Sequence, residues 1–463
     1  MNTNIQITVN GDKIVVNKGA VLSDILKSRG YRFAMPCGGR GICRKCKVSA
    51  DGKEVLACKY IVTQPVDIVL PEFSDGKYEE LIEKADGVCR ISTDIGTTTV
   101  ETAVTDSEGK ILARVRFANP QSVYGADVVN RIEYCSENGA KALQKILVDE
   151  IKSRLKNLLG KSAKVERMDF AGNTVMTHLL MGKDCSSMGQ YPYTPTFLKS
   201  VTTDAKKLGL DFDCEAHTLP CISAFVGGDT VAGLLTLPEP SRGRYSLYID
   251  LGTNAEIVLL GNKSYTATSA PAGPCMEGAN ISCGMSAVDG AITHFKYPDK
   301  VEFLGEKPSG LCGSGLIDVV GQLYKSGVID DSGDMREDFR LAEGVILKRE
   351  DVRQYQLAKS AIRAGVDQLL QYRGIKPSDV SQVYIAGGFS AHIDIDNAVA
   401  SGLIDAAFKD VCQAVGNRTL EGCMIYCEKS DKARQIADDA VYLDLNESEG
   451  FSDKFIKYMS FGI

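Results

Sequence analysis

The sequence predicts a mixed protein, α+β at its N-terminus and α/β over the rest. A small β-rich domain precedes two related lobes. Three observations carry this reading. Three cysteines share one glycine-rich loop, with a fourth close behind. A strand, Asp-x-Gly-Thr turn and strand occur twice. Amphipathic helices fill the intervals between and after the copies. Residues 1–72 are expected to form the first domain, 73–88 a linker, and 89–463 the two lobes, divided at about 240/241.

The elements follow in order. Residues 4–9 alternate, Asn10-Gly11-Asp12 reads as a hairpin turn, and Ile14-Val15-Val16 returns. VLSDILKSRG has helical spacing and stops at Gly30. The cysteine loop comes next, then a hairpin around Asp51-Gly52 and a last strand, VDIVLP. Hairpin, helix, cysteine loop and closing strands form a β-grasp ferredoxin pattern. FSDGKYEELIEKADG is polar enough for a linker with a turn or two of helix. Beyond it, CRISTDIGTTTVETAV and SLYIDLGTNAEIVLL are the duplicated units, and VYIAGGFSAHID is a third strand–glycine unit. Helices are expected over 140–159 and 353–372.

Composition narrows the function classes. Hydrophobic content of 44% with 24% charged residues is enough to bury a large core. No apolar run reaches membrane-spanning length, and the N-terminus lacks a basic-then-apolar leader. Fifteen cysteines, mostly single within apolar segments, fit buried thiols in a reducing cytoplasm. A net charge of −7 argues against nucleic acid as the main partner. Residues 1–72 nevertheless carry +5, with Arg40, Arg44, Lys45, Lys47 and Lys59 crowding the cysteines. This charge either compensates an anionic centre or forms a docking rim for acidic redox partners.

Cys37, Cys43 and Cys46 have the spacing Cys-x5-Cys-x2-Cys, and Cys58 follows. Four thiolates placed this way suit one [2Fe–2S] cluster, with two sulfur ligands on each iron. Structural zinc is the competing reading, although it favours two short cysteine pairs. Cys275, Cys283 and Cys312 fit no familiar cluster and read as buried thiols, as do Cys89, Cys135, Cys185, Cys214, Cys221 and Cys412.

The two turns carry the second chemistry. In Asp94-Ile-Gly96-Thr97-Thr98-Thr99 and Asp250-Leu-Gly252-Thr253-Asn254, glycine lets the backbone approach phosphate oxygens. The N–H groups and Thr hydroxyls donate to those oxygens, and the carboxylate offers a hard ligand to Mg²⁺. Together with Ala386-Gly387-Gly388, whose glycines would leave room for adenosine, they define an ATP site. Asp229, after Gly227-Gly228, is a third carboxylate that either serves Mg²⁺ or the attacking water, or caps the following helix. Asp94, Asp229 and Asp250 are the catalytic candidates. Gly313 and Gly315 open a helix whose N–H groups face phosphate or ribose, or else permit close packing.

The chain resembles the reductive activators of corrinoid enzymes. The segments that carry this are PCGGRGICRKCKV, STDIGTTTV, ANPQSVYGADVVNRI, AGNTVMTHLL, YPYTPTF, FVGGDTVAG, YIDLGTNAEI, ISCGMSAVDGAI, GLCGSGLIDVV and IAGGFSAHID. The resemblance covers residues 30–400 and implies a [2Fe–2S] ferredoxin domain joined to an ASKHA domain, the actin, Hsp70 and sugar-kinase class with an RNase H-like core. It implies ATP-dependent one-electron reduction of a corrinoid protein from Co(II) to Co(I) in a methyltransferase system. A low-potential electron donor and homodimerisation are implied as well. Larger relatives carry an extra middle domain, which is expected to be missing here. Cys423 and Cys427 are too few for a C-terminal cluster, so one cluster per chain is expected.

Rival readings keep parts of this chemistry. One is an activator of another low-potential enzyme. Others are a small-molecule kinase with a regulatory ferredoxin domain and a nucleotide-gated scaffold of the actin type.

Overall fold

The computed structural model describes residues 4–31, 33, 35, 37, 39, 41, 44, 46–71, 84–388 and 390–462. Residues 72–83, which hold most of the expected linker, lie outside them, as do Cys43 and Phe389.

Alternation builds the N-terminal β-rich domain. Along Asn4–Val9 the side chains of Ile5, Ile7 and Val9 are buried while Asn4 and Gln6 face solvent. Asn10 (φ 49°) and Gly11 (φ 92°) make the tight turn into Asp12–Asn17. The five-stranded sheet runs in the order Asp12–Asn17, Asn4–Val9, Asp67–Val69, Lys47–Ala50, Lys53–Leu56. The first and last strands in sequence pair in parallel through Thr8↔Asp67 and Val9↔Ile68. Helix Leu22–Ser28 is capped by Arg29, and Gly30 takes the left-handed φ of 78° just beyond. Leu22 and Leu26 pack with Phe33, Met35, Cys46 and Ile68 into one core. Each buried leucine contributes about 1.5–3 kcal/mol.

The chain divides into two compact units. The first comprises 1–170, 175–197 and 202–217; the second comprises 171–174, 198–201 and 218–463. Beyond the N-terminal domain, the first unit is organised by a six-stranded sheet. Its order is Thr202–Asp204, Glu215–Thr218, Lys164–Gly172, Val88–Ile95, Thr99–Thr105, Ile111–Ala118. Helices Val128–Asn138 and Lys141–Leu158 accompany it, the latter over the expected 140–159.

The second unit repeats the antiparallel meander as Tyr245–Leu251, Ala255–Gly261 and Ser264–Ala270. Val380–Ala386 lies parallel beside the first of these strands. Both faces of this sheet are covered, so its strands read as continuous apolar runs. Leu247, Ile249 and Leu251 point into a core shared with helices Gly313–Lys325 and Arg349–Arg373. Tyr248 and Val258 point into the opposite core, against Val231 and Ala232 of helix Gly228–Leu235. This alternation decides the site, because Asp250 is two residues from Tyr248 and shares its face.

Candidate active site

In the N-terminal domain Cys37 and Cys46 are buried and Cys58 is half-buried, none of them in a disulfide. Cys46 Sγ and Cys58 Sγ are 3.2 Å apart. That is much longer than a disulfide of about 2.05 Å. It is close to the spacing of about 3.8 Å between two sulfurs bound tetrahedrally to one metal at about 2.3 Å. Cys43 lies outside the described residues. Gly39 (φ 103°) and Gly41 (φ 75°) hold the loop in left-handed conformations. A Cβ on Gly41 would meet Lys59 Cε at 2.4 Å. Lys27 reaches the same loop. Burial pushes its amine pKa down, while Asp24, Cys58 and Cys37 pull it back up. Of the basic rim, Lys47 is paired with Glu54 at 2.8 Å, and Arg40 and Lys45 lie outside the described residues.

The first Asp-x-Gly-Thr turn connects Val88–Ile95 to Thr99–Thr105. Gly96 is obligatory there, since a Cβ would lie 2.6 Å from the Thr99 carbonyl oxygen. The turn is tied from one side. Asn119 Nδ2 donates to Gly96 O at 2.8 Å, and the Asn119 N–H donates to Thr98 O at 2.8 Å. Arg131 Nη2 donates to Thr97 O at 2.6 Å. Arg131 is 0% exposed. Burial pushes its pKa down to about 9, so it stays protonated at neutral pH. Asp94 lies across the strand pair from Glu101. Glu101 is neutralised by Arg114, whose Nη2 stands 2.5 Å from Oε1.

The second turn has different surroundings. Asp250 faces Glu256 across the strands, as Asp94 faces Glu101. The residue opposite Glu256 on the next strand is Ser269, whose hydroxyl donates to Oε1 at 3.3 Å. No arginine is paired with Glu256 among the described residues. Tyr248 Oη donates to Asp250 Oδ2 at 3.1 Å. Gly233 makes room for that phenol, because a Cβ there would lie 2.1 Å from Oη. Asp229 sits in the first turn of helix Gly228–Leu235, whose cap is Gly227. The capping role expected as one option for Asp229 is therefore taken by its neighbour. Burial and the Asp229 charge push Asp250 up to about 7, and burial pushes Asp229 up to about 6. Glu256 is pushed up further by burial and by both aspartates.

Around this carboxylate group, Thr253 Oγ1 donates to Glu277 Oε2 at 2.7 Å. A Cβ on Gly252 would make only ordinary contact, at 3.4 Å from Asn254 O. Gly387 (φ 116°) brings the third strand–glycine unit against the turn, since its Cβ would lie 2.3 Å from Leu251 O. Gly388 follows it and is exposed. Gly313 begins helix Gly313–Lys325. Gly315 packs so closely that a Cβ would meet Ile292 O at 2.1 Å, so helix packing accounts for that glycine.

Thus Asp94, Gly96, Thr97, Thr98 and Thr99 belong to the first unit. Gly228, Asp229, Asp250, Gly252, Thr253, Asn254, Gly313, Gly315, Gly387 and Gly388 belong to the second. Sequence reasoning did not single out Tyr248, Glu256, Glu277, Asn119 or Arg131. Tyr248 and Glu256 carried a usable signal: both share the Asp250 face by strand periodicity and register.

The possible occupants can be judged from these donors. Among the described residues no three Cys, His, Asp or Glu side chains are arranged to hold a metal ion by themselves. Mg²⁺ does not need such a cage, since it keeps waters and takes one or two carboxylates plus phosphate oxygens. A [2Fe–2S] cluster needs thiols in pairs, and Cys46 with Cys58 is one such pair.

A glycine-turn α/β architecture of this kind, behind a β-rich domain, defines a protein of the ASKHA class. Two protein-family models match consecutive stretches: the middle region of RACo over residues 89–238, and the C-terminal domain of RACo, the ASKHA domain, over 244–462. The chain belongs to the RACo family of corrinoid activation enzymes. The corrinoid activation enzyme RamQ of Eubacterium limosum is 26% identical over 582 aligned residues, spanning 97% of this chain and 98% of its own. The [Co(II) methylated amine-specific corrinoid protein] reductase of Methanosarcina barkeri is 26% identical over 415, covering 80% and 76%. A solved structure, a reductive activator for corrinoid, iron–sulfur protein, shares the fold with a TM-score of 0.71 and 24% identity, covering 99% of this chain and 98% of its own.

One expectation is corrected. The middle region is present, at 89–238, and not missing. It is itself an α/β lobe with an Asp-x-Gly-Thr turn, so the internal duplication absorbed it into the ASKHA half. No described helix is long and apolar enough to cross a membrane.

Proposed function

We propose that this chain couples ATP to one-electron reduction of a corrinoid protein, returning Co(II) to Co(I), through residues 1–72 as an electron-carrying domain. The lobes 89–240 and 241–463 form the ATP-dependent part, with 73–88 as linker. The observation that carries the reading is the co-occurrence on one RACo-family chain of the Cys46–Cys58 thiol pair with the Asp229–Asp250–Glu256 carboxylate group beside a Gly-Thr turn.

A [2Fe–2S] cluster held by Cys37, Cys43, Cys46 and Cys58 would supply a one-electron carrier. The chain's own residues would prepare its seat: Gly39 and Gly41 give the loop its left-handed backbone, and the Lys27 ammonium lies close enough to Cys58 and Cys37 to feel their charge. Gly96, Thr97, Thr98 and Thr99 of the first turn and Gly252, Thr253 and Asn254 of the second are each proposed as phosphate-binding residues. Gly228, Gly313, Gly387 and Gly388 would line the rest of the ATP site. Asp229 and Asp250 are the best-placed ligands for Mg²⁺ or its waters. Burial raises both pKa values, the Asp229 charge adds to the shift of Asp250, and a bound divalent cation would favour the charged forms. Asp94 is assigned a supporting role, because its cross-strand neighbour Glu101 is already neutralised by Arg114.

The acceptor is a corrinoid protein of a methyltransferase system, with methylated-amine systems the first candidates because one relative is named for them. A low-potential donor, a cytoplasmic location and a homodimer complete the proposal. The test is anaerobic reconstitution with iron and sulfide, then mixing with reductant, Co(II) corrinoid protein and ATP. Appearance of the Co(I) absorption only with ATP supports the reading. Phosphorylation of a sugar or acid without corrinoid reduction would replace it with the kinase.

A further inference from the structure

The two copies of the Asp-x-Gly-Thr turn are held in different ways, and the difference concerns two residues of ANPQSVYGADVVNRI that have been given no role. In the second copy a side chain of the turn is engaged, through Thr253 and Glu277. In the first copy three successive carbonyl oxygens, of Gly96, Thr97 and Thr98, are each bonded by Asn119 or Arg131. A peptide unit is planar and trans, so its N–H points opposite to its C=O. Fixing the carbonyls of Gly96 and Thr97 therefore aims the N–H groups of Thr97 and Thr98 away from Asn119 and Arg131.

The arginine is placed at some cost. It is wholly buried, and its other donors go to neutral acceptors: Nε to Gly125 O at 2.9 Å, Nη1 to Gln121 Oε1 at 3.3 Å and to Met176 Sδ at 3.1 Å. Among the described residues no carboxylate is within ion-pair distance of it, and the Asp127 charge on the same helix only partly offsets the effect of burial on its pKa. A buried cation without a contacting anion is expensive unless something nearby gains from its charge. The bond to Thr97 O passes that charge into the turn, polarising the peptide and strengthening the following N–H as a donor. The helix that carries the arginine is anchored for the task, with Asp127 capping it through the Asn130 N–H at 2.8 Å.

We propose that Arg131 and Asn119 are positioning residues that pre-set the first turn for the phosphates of a nucleotide, with Arg131 supplying a buried positive charge behind it. This rests on the reading of the turn as part of an ATP site. Neither residue touches the ligand; both act through the backbone of residues 96–98.

The experiment uses full-length, cluster-loaded protein and measures ATP and adenosine affinities by calorimetry for wild type, Arg131→Met, Arg131→Lys and Asn119→Ala. Arg131→Met is expected to weaken ATP binding about 10- to 100-fold, the size of one charge-assisted hydrogen bond. Adenosine affinity stays within about twofold, because it has no phosphate to sense the turn. Arg131→Lys keeps the charge and loses the planar fork, so its ATP loss falls between wild type and Arg131→Met. Should Arg131→Met not fold, Arg131→Lys and Asn119→Ala give the same contrast. ATP and adenosine affinities falling together, or ATP affinity unchanged, would overturn the positioning role alone. Wild-type protein that binds no ATP would remove the ATP-site reading and this proposal with it.

Discussion

Glu256 stands directly opposite Asp250 across an antiparallel strand pair, in the place that Glu101 takes opposite Asp94. Arg114 neutralises Glu101, whereas Glu256 has a serine hydroxyl and two raised aspartates for company. The duplication has therefore diverged: in the first copy an arginine pairs with the cross-strand glutamate, and in the second none does among the described residues. This asymmetry is the reason for proposing the second copy as the seat of the cation and proton chemistry.

Removing the central carboxylate tests that assignment. Asp250→Ala is expected to abolish ATP turnover and ATP-dependent corrinoid reduction while leaving the EPR signal of the reduced cluster unchanged. Corrinoid reduction at the wild-type rate in this variant would show that the second turn is not the coupling site.

Stability should depend on pH in a defined direction. Asp250 and Asp229 are raised to about 7 and about 6, well above the usual aspartate value of about 3.9. Their folded forms keep protons that the unfolded chain has lost, so this stabilisation is full below about pH 4 and disappears as pH rises through about 7. In Mg²⁺-free buffer this contribution to Tm should decline between about pH 4 and 7, and Asp250→Asn should flatten the decline. Identical Tm profiles for the variant and wild type would contradict the raised value.

Tyr248 tunes the same carboxylate. Its hydroxyl donates to Asp250 and favours the charged form, so Tyr248→Phe should move the acid limb of the ATPase pH profile to higher pH. An acid limb that stays put would mean that Asp250 is not the group titrating there.

The thiols and the nucleotide turns should be separable. Cys58→Ser should lose the cluster spectrum and corrinoid reduction, yet bind ATP within about twofold of wild type. Arg114→Met, by contrast, should leave the cluster intact and lower Tm, because it strands the buried Glu101. The expected cost is about 1–3 kcal/mol, discounted for the partial exposure of Arg114. Unchanged Tm would show that Glu101 finds another partner.

Much of the fold was legible because local signals agreed. The Asn10-Gly11 turn, the alternation of Ile5, Ile7 and Val9, and the helical spacing around Leu22 and Leu26 each specify one conformation. The Asp-x-Gly-Thr turns were legible from glycines that the backbone requires, as Gly96 illustrates. What stayed hidden depends on register and on distant packing. That Arg131 would reach back to Thr97 cannot be seen from a helix pattern. Nor does an alternating strand reveal that Ser269, and not an arginine, faces Glu256. The middle region was misplaced for a related reason: a duplicated lobe looks like half of one domain when only its turns are read.

The most direct measurement is anaerobic spectroscopy of a Co(II) corrinoid protein mixed with the reduced, reconstituted chain, with and without Mg·ATP. Formation of Co(I) that requires ATP and is lost in both Asp250→Ala and Cys58→Ser is the expected result. Co(I) formation at equal rates without nucleotide, or with the thiol variant, would contradict the coupling of the two halves.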